Sequence, residues 1–260
     1  MPQSALPPAY VISLPEAQHR RERITAQLEE LGFPYSVFDG VDGRKMDVRT
    51  HPEYDTTRRH RYFGRDLLGG ELGCFLSHKG VLQKIISDNI PCALVLEDDA
   101  IVQDALPAVI EQLSGAKPAP DLVRFIDKDK VYSAPQKHIA NLTPEHHLVR
   151  IQSTPGGAYA YFISRQGAEK LLAHMDKTYL PVDTLMGYSW RTGVDNLVSI
   201  PSPVAHGDLE DTHIGDQRFD KHLQIAGAQK ALYPLTRFAH KFSENIMKRV
   251  NFALHNRTRA

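Results

Sequence analysis

The feature that most constrains this chain is an apolar run at residues 93–96 that ends in three adjacent acids. These acids are Glu97, Asp98 and Asp99. A strand without polar alternation is buried on both faces, which is typical of the centre of an α/β sheet. Ligands bind at the carboxyl ends of the strands in such sheets. The run therefore predicts a central strand that delivers three carboxylates to a ligand-binding edge.

Three adjacent carboxylates repel one another unless a cation lies among them. Oxygen ligands suit Mg²⁺ or Mn²⁺, which commonly bridge carboxylates to a diphosphate. Such an ion stabilises the charge that grows on a departing diphosphate. The alternative is a solvated group of acids at a helix N-terminus. The three acids predict a metal site, but they do not separate a glycosyltransferase from a phosphatase or a nucleotidyltransferase.

Strand-like and helix-like segments alternate along the 260 residues. Residues 10–14 and 35–38 are short β-rich runs. The segment between them has Ile24 and Leu28 at helical spacing and ends at Gly32, so a parallel βαβ unit is predicted. Other predicted elements are strands at 122–126, 157–163 and 197–200, helices at 71–87, 105–113 and 164–174, a long loop with short helices at 44–70, and a polar stretch to residue 146. The pattern predicts an α/β fold with a mostly parallel central sheet.

Charge and cysteine content bound the function. The chain has 31 basic and 31 acidic residues, so we expect no nucleic-acid partner. Cys74 and Cys92 lie in apolar contexts without an evident Cys/His cluster, which predicts reduced, buried thiols, with a disulfide as the alternative. Residues 1–10 lack the cationic segment of a signal peptide, and no apolar run reaches the roughly 20 residues of a membrane span. A cytoplasmic protein is therefore expected.

Several sequence blocks carry a family resemblance. They are Val-Ile-Ser-Leu at 11–14 followed by Arg20 and Arg21, Phe-Asp-Gly-Val-Asp-Gly at 38–43, Gly-Glu-Leu-Gly-Cys-Phe-Leu-Ser-His at 70–78, Val-Leu-Glu-Asp-Asp-Ala at 95–100, and the segments 157–164 and 181–183. In this order, over about residues 9 to 215, the chain resembles glycosyltransferase family 25. That family includes bacterial lipooligosaccharide β-galactosyltransferases and animal collagen galactosyltransferases.

The resemblance implies a GT-A type nucleotide-sugar-binding domain over residues 1–232, a UDP-sugar donor and inversion at the anomeric carbon. GT-A enzymes usually carry an Asp-x-Asp metal motif, whereas this chain has Glu97 in the first position. By analogy Asp99 binds Mn²⁺ or Mg²⁺ directly, and Glu97 faces the ribose or a metal-bound water. Asp98 is assigned to the donor site with Glu97. Without an export signal, the bacterial branch is expected, with a hexose, β-linked galactose above all, moved to lipooligosaccharide or lipopolysaccharide.

Four further residues are candidates for donor binding. Arg20 and Arg21 are predicted to contact the diphosphate or the uracil edge, or else to face solvent. Asp39, at the end of the second strand, is predicted to contact the nucleoside, or else to form a turn before Gly40. His78 lies in a specific family block and is predicted as a donor contact, or else as a packed, hydrogen-bonded core residue.

Asp183 is the predicted general base, since an inverting transfer needs a carboxylate to take the proton of the acceptor hydroxyl. The alternative for Asp183 is a helix N-cap. Its rivals as the base are Asp208, Glu210 and Asp211. His206 is predicted to complete the metal shell, as a late histidine does in many GT-A folds, or else to be one of several uninvolved histidines.

Two other functions remain open at this stage. A metal-dependent nucleotidyltransferase or phosphohydrolase would share the acids, but it usually needs further acids or a glycine-rich phosphate loop. A catalytically inactive nucleotide-sugar-binding module would have little reason to hold three adjacent carboxylates.

Residues 233–260 form a predicted basic, amphipathic tail. An apolar residue recurs every fourth position at Phe238, Phe242, Ile246, Val250 and Leu254, among several lysines and arginines. This composition is typical of a helix lying in a membrane interface. We expect contact with the inner face of the membrane, beside a lipid-linked oligosaccharide acceptor. The alternatives are that the stripe packs on the catalytic domain or on a second subunit.

Overall fold

The computed structural model describes residues 6–153, 155–207 and 222–257. The strands are β1 (Ala9–Ser13), β2 (Tyr35–Asp39), β3 (Cys92–Glu97), β4 (Ala100–Val102), β5 (Leu122–Arg124), β6 (Gln136–Asn141), β7 (His147–Ile151), β8 (Ala160–Ser164), β9 (Leu197–Ile200) and β10 (Val204–His206). The helices are α1 (Gln18–Glu30), α2 (Thr56–Phe63), α3 (Gly69–Ser87), α4 (Leu106–Gly115), α5 (Asp129–Tyr132), α6 (Arg165–Leu172), α7 (Val182–Met186), α8 (Ser189–Thr192) and α9 (Gly227–Arg257), with a 3₁₀ turn at Val48–Thr50.

Eight strands form the central sheet, in the order β2-β1-β3-β8-β5-β9-β7-β6. Only β8 and β7 run against the other six, so most strands share one direction although β8 and β7 make antiparallel contacts. The α/β prediction with a mostly parallel sheet is confirmed, and the sheet is mixed in its pairing. The carboxyl ends of β1, β2, β3, β5 and β9 consequently meet at one edge.

The predicted βαβ unit is confirmed at the N-terminus. β1 pairs in parallel with β2, and Ala9 lies opposite Tyr35. Ile24 and Leu28 of α1 are fully buried. Gly32, whose φ is 74°, adopts the left-handed conformation that ends the helix and returns the chain to the sheet.

Strand β3 lies inside the sheet, between β1 and β8, as its apolar run predicts. Its side chains alternate between two hydrophobic cores: Leu94 and Leu96 in one, Ala93 and Val95 in the other. Helices α1 and α4 contribute to the first core, and α3 and α6 to the second. Both cysteines are free thiols, as expected, but each is only partly buried.

The polar stretch before residue 146 contains a strand that the sequence pattern does not indicate. β6 pairs antiparallel with β7, with a register shift between His138 and Ala140. β6 is the outermost strand and its side chains are largely exposed on both faces. An edge strand of this kind lacks the alternating apolar residues from which strands are predicted.

The predicted C-terminal helix is present as α9, which contacts α2 and α8. It begins at Gly227, so the expected tail boundary at residue 233 falls inside the helix. No helix in the described part of the chain is both long and apolar enough to cross a membrane.

Candidate active site

A cleft of about 570 Å³ opens at the carboxyl edge of the sheet. Ser13 at the end of β1 and Glu97 at the end of β3 line it, with Gly157 from the segment that leads into β8. The cleft gathers seven of the predicted site residues: Arg20, His78, Glu97, Asp98, Asp99, Asp183 and His206. Arg21 and Asp39 are not among its lining residues; they pair with each other at 2.8 Å.

One wall of the cleft depends on close contact between two backbones. A Cβ on Gly43 would lie 1.9 Å from the carbonyl oxygen of Gly69, and one on Gly73 would lie 2.5 Å from that of Val41. Only glycine allows the loop after β2 to approach α3 this closely. Ser77 Oγ completes the contact by accepting the N–H of Val41 at 2.8 Å. The glycines of two family blocks thus form one structural unit.

The three acids after β3 differ in their surroundings. Asp98 is buried, and its carboxylate accepts a hydrogen bond from Ser13 Oγ at 2.7 Å. Arg20 Nη2 lies 3.4 Å from the other carboxylate oxygen. Asp98 is therefore paired within the protein, and it fixes α1 against the end of β3.

Glu97 contacts a buried histidine. His78 Nε2 lies 3.0 Å from Glu97 Oε1, and Nδ1 lies 2.9 Å from the hydroxyl of Tyr161. His78 is fully buried, so the packed alternative describes it, although its ring also borders the cleft. Burial acts to raise the pKa of Glu97, but the hydrogen bond and charge of His78 outweigh burial and hold this pKa below its ordinary value.

Cys74 joins this pair, which corrects the expectation that no Cys/His cluster exists. Candidate ligand atoms of Cys74, His78 and Glu97 all lie within 4.8 Å of one another. Burial, and then the charge of Glu97, raise the pKa of the Cys74 thiol. The i, i+4 spacing of Cys74 and His78 on α3 is the signal that could have revealed this group.

Asp99 and His206, the two residues predicted to bind a metal, lie beside each other. The short β4–β10 ladder places Ala100 opposite His206, and His206 Nε2 lies 3.4 Å from Asp99 Oδ2. Asp99 Oδ1 is buried and accepts no hydrogen bond from the residues that the structure describes. Burial, and next the charge of Glu97, raise the pKa of Asp99 to about 6. A buried carboxylate oxygen without a donor, beside a second acid and a histidine, fits a divalent cation.

Asp183 lies on the opposite part of the lining, in the first turn of α7. Its Oδ2 accepts the N–H of Gly157 at 2.9 Å, and its Oδ1 accepts the N–H of Thr184 at 2.5 Å. The N-cap of α7 is Pro181, so the N-cap alternative for Asp183 is wrong. The rivals at 208, 210 and 211 lie outside the described residues.

Arg124 is a site-forming residue that sequence reasoning missed. It ends β5 with no solvent exposure and donates to the carbonyls of Pro155 at 3.0 Å and Asp183 at 3.3 Å. It also donates to Asn196 Oδ1 at 3.1 Å. Burial lowers its pKa to about 10. The one signal in the sequence was a lone arginine inside the apolar run 122–126.

Comparison with known proteins places the chain in a family. A family model described as glycosyltransferase family 25 (LPS biosynthesis protein) matches residues 6–186. The chain belongs to glycosyltransferase family 25. The family match contains every predicted site residue except His206, and helix α9 also lies outside it.

Members of family 25 with different names resemble this chain. It is 30% identical over 190 residues to the rat "Probable inactive glycosyltransferase 25 family member 3", covering 68% of this chain and 32% of the rat protein. It is 30% identical to the Xenopus laevis "Procollagen galactosyltransferase 1-A", over 68% of this chain and 30% of that protein. The Haemophilus influenzae "Lipooligosaccharide biosynthesis protein lic2B" is 28% identical, over 68% of both chains. The chain thus matches about a third of the length of these two animal relatives.

Proposed function

We propose that this chain is an inverting, metal-dependent glycosyltransferase of GT-A type. It moves a hexose, β-linked galactose above all, from a UDP-sugar to a lipooligosaccharide or lipopolysaccharide acceptor. The observation that carries the proposal concerns Asp99. Its buried Oδ1 has no hydrogen-bond donor among the described residues, and its carboxylate lies beside Glu97 and His206 at the ligand-binding edge. The bacterial relative supports the acceptor class, because it matches this chain over the same large share of both proteins.

Asp99 and His206 would hold Mn²⁺ or Mg²⁺, with Glu97 towards the ribose or a metal-bound water. The ion would supply Lewis-acid stabilisation of the diphosphate. Arg20 and Lys128 add positive charge to the cleft lining, where a diphosphate is expected. Lys128 Nζ also donates to the carbonyl of Gly156 at 2.9 Å, so the cation is held beside the loop that Asp183 contacts.

Asp183 is the proposed general base. As the acceptor oxygen attacks the anomeric carbon, this carboxylate takes the hydroxyl proton. The new carbon–oxygen bond forms on the face opposite the leaving group, and the electron pair of the broken bond leaves with UDP. The N–H groups of Gly157 and Thr184 hold the carboxylate in one orientation, which such a transfer requires.

A second candidate is a catalytically inactive nucleotide-sugar-binding module. The observation that favours it is that several relatives, including the rat and bovine proteins, are named as probable inactive members of the family. A nucleotidyltransferase or phosphohydrolase is the third candidate, and family membership favours neither of those activities.

Release of UDP, measured with and without a truncated lipooligosaccharide acceptor, distinguishes the three. UDP-galactose, UDP-glucose and UDP-N-acetylglucosamine should be tested separately as donors in the presence of Mn²⁺. Acceptor-dependent release of UDP, with a longer glycan by mass spectrometry, is the expected result. Cleavage of the donor to UMP and a sugar phosphate, with or without the acceptor, indicates a phosphohydrolase. UDP binding by calorimetry without turnover of any donor indicates the inactive module.

A further inference from the structure

Helix α9 is oriented with its polar side towards the protein. Tyr233 Oη donates to the carbonyl of Phe63 at 3.0 Å, and Thr236 Oγ1 donates to that of Arg61 at 2.7 Å. The ring of His240 stacks on Tyr62 with centroids 4.5 Å apart. These contacts hold the first half of α9 on α2.

The second half of α9 is also held by polar contacts. Arg150 Nη1 donates to the carbonyl of His255 at 3.1 Å, and Arg150 is anchored in turn by Asp195. Lys248 and Asn251 face a small pocket together with Arg150. The helix is therefore attached along its length through residues three and four positions apart, which form one side of it.

The opposite side is apolar and exposed. We call this the outer face of α9; its apolar residues are Leu235, Phe238, Phe242, Ile246, Val250 and Leu254. Phe238 and Phe242 are 67% and 57% exposed, and their rings stack on each other in solvent. The alternative that the stripe packs on the catalytic domain is thus wrong, because the polar side of α9 makes that contact. A contiguous exposed apolar surface of this kind marks an interaction site.

The charges around the outer face are of one sign. Lys230, Lys241 and Arg249 are exposed on α9. In the described part of this helix the single acid is Glu244, which lies half-buried 3.6 Å from His240, on the attached side. The surface that α9 presents to solvent is therefore apolar and cationic.

We propose that the outer face of α9 docks on an anionic lipid bilayer, with the helix lying parallel to the membrane plane. Such a helix buries its apolar residues at the boundary between headgroups and acyl chains, and its basic residues contact anionic headgroups. A second copy of the chain is a poorer occupant, because it would bring the same cations together without a facing acid on α9. Docking would hold the protein, and therefore its cleft, at the membrane that carries the lipid-linked acceptor of the proposed function.

Co-sedimentation of the full-length protein with vesicles tests this docking. The vesicles contain phosphatidylcholine alone or phosphatidylcholine with phosphatidylglycerol, and neither donor nor acceptor is added. The protein should bind the anionic vesicles and not the neutral ones. Phe238→Ser combined with Phe242→Ser should weaken binding at least about tenfold, because both rings lose their place in the interface.

A second variant removes charge without altering the apolar stripe. Lys241→Gln combined with Arg249→Gln should weaken binding about 25-fold, since each basic residue near an anionic surface contributes about a fivefold factor. The matched control is Lys117→Gln combined with Lys177→Gln, two exposed lysines outside α9, which should bind like the unmodified protein.

Three outcomes would overturn the proposal. One is an unmodified protein that does not bind anionic vesicles; another is a Lys241/Arg249 variant that binds them with full affinity. The third is a dimer in light scattering that the phenylalanine variant converts to monomers without changing vesicle binding, which assigns the face to a second copy. Circular dichroism shows whether the phenylalanine variant stays folded, and if it unfolds, the charge variant decides. Because the assay measures no sugar transfer, membrane docking can be confirmed or overturned independently of the proposed function.

Discussion

The cleft and helix α9 distribute polarity in opposite ways. In the cleft, the carboxylate of Asp99 lies largely out of water, two residues beyond the end of β3. On α9, Phe238 and Phe242 lie in water while His240 packs against the domain. Among the described residues, Asp99 Oδ1 has no hydrogen-bond donor and the outer face of α9 has no apolar neighbour, so each feature indicates an external partner.

The two regions differ in what their partners must supply. Asp99 Oδ1 has no hydrogen-bond donor among the described residues, and a divalent cation bound with a diphosphate-bearing substrate would give this oxygen a partner. The outer face of α9 lacks an apolar neighbour, which a bilayer provides over a large area. A metal ion needs a few ligands in a strict geometry, whereas contact with a bilayer is shared among many residues of α9. Single substitutions should therefore act strongly in the cleft and weakly on α9.

The largest effect is expected for Asp99→Asn. Turnover should fall about 10³-fold, in line with the loss of a Lewis-acid site, and EDTA should abolish the activity of the unmodified enzyme. Thermal stability should be unchanged or higher, because the variant removes a buried carboxylate that lacks a hydrogen bond. Steady-state kinetics and a thermal melt measure the two effects.

Asp98→Asn is the matched control for that variant, since it makes the same change one residue earlier. It should lower stability instead, because Asp98 is paired with Ser13 and Arg20. Near-normal turnover of the Asp99 variant would show that the metal interpretation is wrong.

The next largest effect is expected for Asp183→Asn. The amide keeps an acceptor for Gly157 but cannot take a proton, so kcat should fall about 10²-fold while UDP affinity stays unchanged. Kinetics and calorimetric titration with UDP separate the two quantities. Weaker UDP binding at normal turnover would make Asp183 a donor contact. A loss of activity that follows the loss of thermal stability would make it a structural anchor for the loop.

Features of the cleft could be predicted from the sequence where a local pattern indicates them, but not where they depend on contacts between residues distant in the chain. The acids after β3 were found because one local pattern, an apolar run ending in carboxylates, identified both the strand and its ligand-binding end. Their separate surroundings depend on Ser13, His78 and His206, which are distant in sequence. The β4–β10 ladder that delivers His206 has three residues in each strand, too few for a periodic signal. His206 was predicted from the family resemblance alone.

Arg124 and α9 show two other limits. Residues 122–126 fit a core strand, and nothing local indicates that the arginine finds buried partners at Pro155 and Asp183. On α9, the four-residue spacing correctly predicted an amphipathic helix. An apolar stripe ordinarily faces the core, so the sequence left that alternative open beside the membrane prediction. The packing of α2 against Tyr233 and His240 shows that the stripe faces outwards.

A moderate effect is expected for Arg124→Met. The change leaves the carbonyls of Pro155 and Asp183 without their buried donor, so stability should fall by about 2 kcal/mol. kcat should fall more than UDP affinity, because the loop that holds Asp183 shifts. Denaturant unfolding and kinetics measure these changes. Arg58→Met, on an exposed arginine, should stay within about 0.5 kcal/mol of the unmodified protein. If the two variants have equal free energies of unfolding, Arg124 does not hold the loop that carries Asp183.

The smallest effect is expected on α9 and concerns pH. Burial, and then the charge of Arg237, lower the pKa of His240 from 6.5 to about 4. Between pH 6.5 and 4 the undocked histidine therefore binds a proton that the docked one does not. The stability of the docked helix should be complete above pH 6.5 and should decrease as the pH falls towards 4. The neighbouring Glu244 has a pKa that burial raises, so its contribution has the opposite slope.

Hydrogen exchange of the α9 amides at pH 7 and pH 5 measures this docking equilibrium, after correction for the intrinsic exchange rates. His240 is bordered by the rings of Tyr62 and Phe63 and by the charges of Arg237 and Glu244. His240→Gln should reduce the loss of protection at pH 5, by about 1 kcal/mol at most because the helix lies at the surface. His19→Gln, at an exposed position of α1, should leave that loss unchanged. An equal loss of protection in both variants would mean that the buried face of α9 does not sense pH through His240.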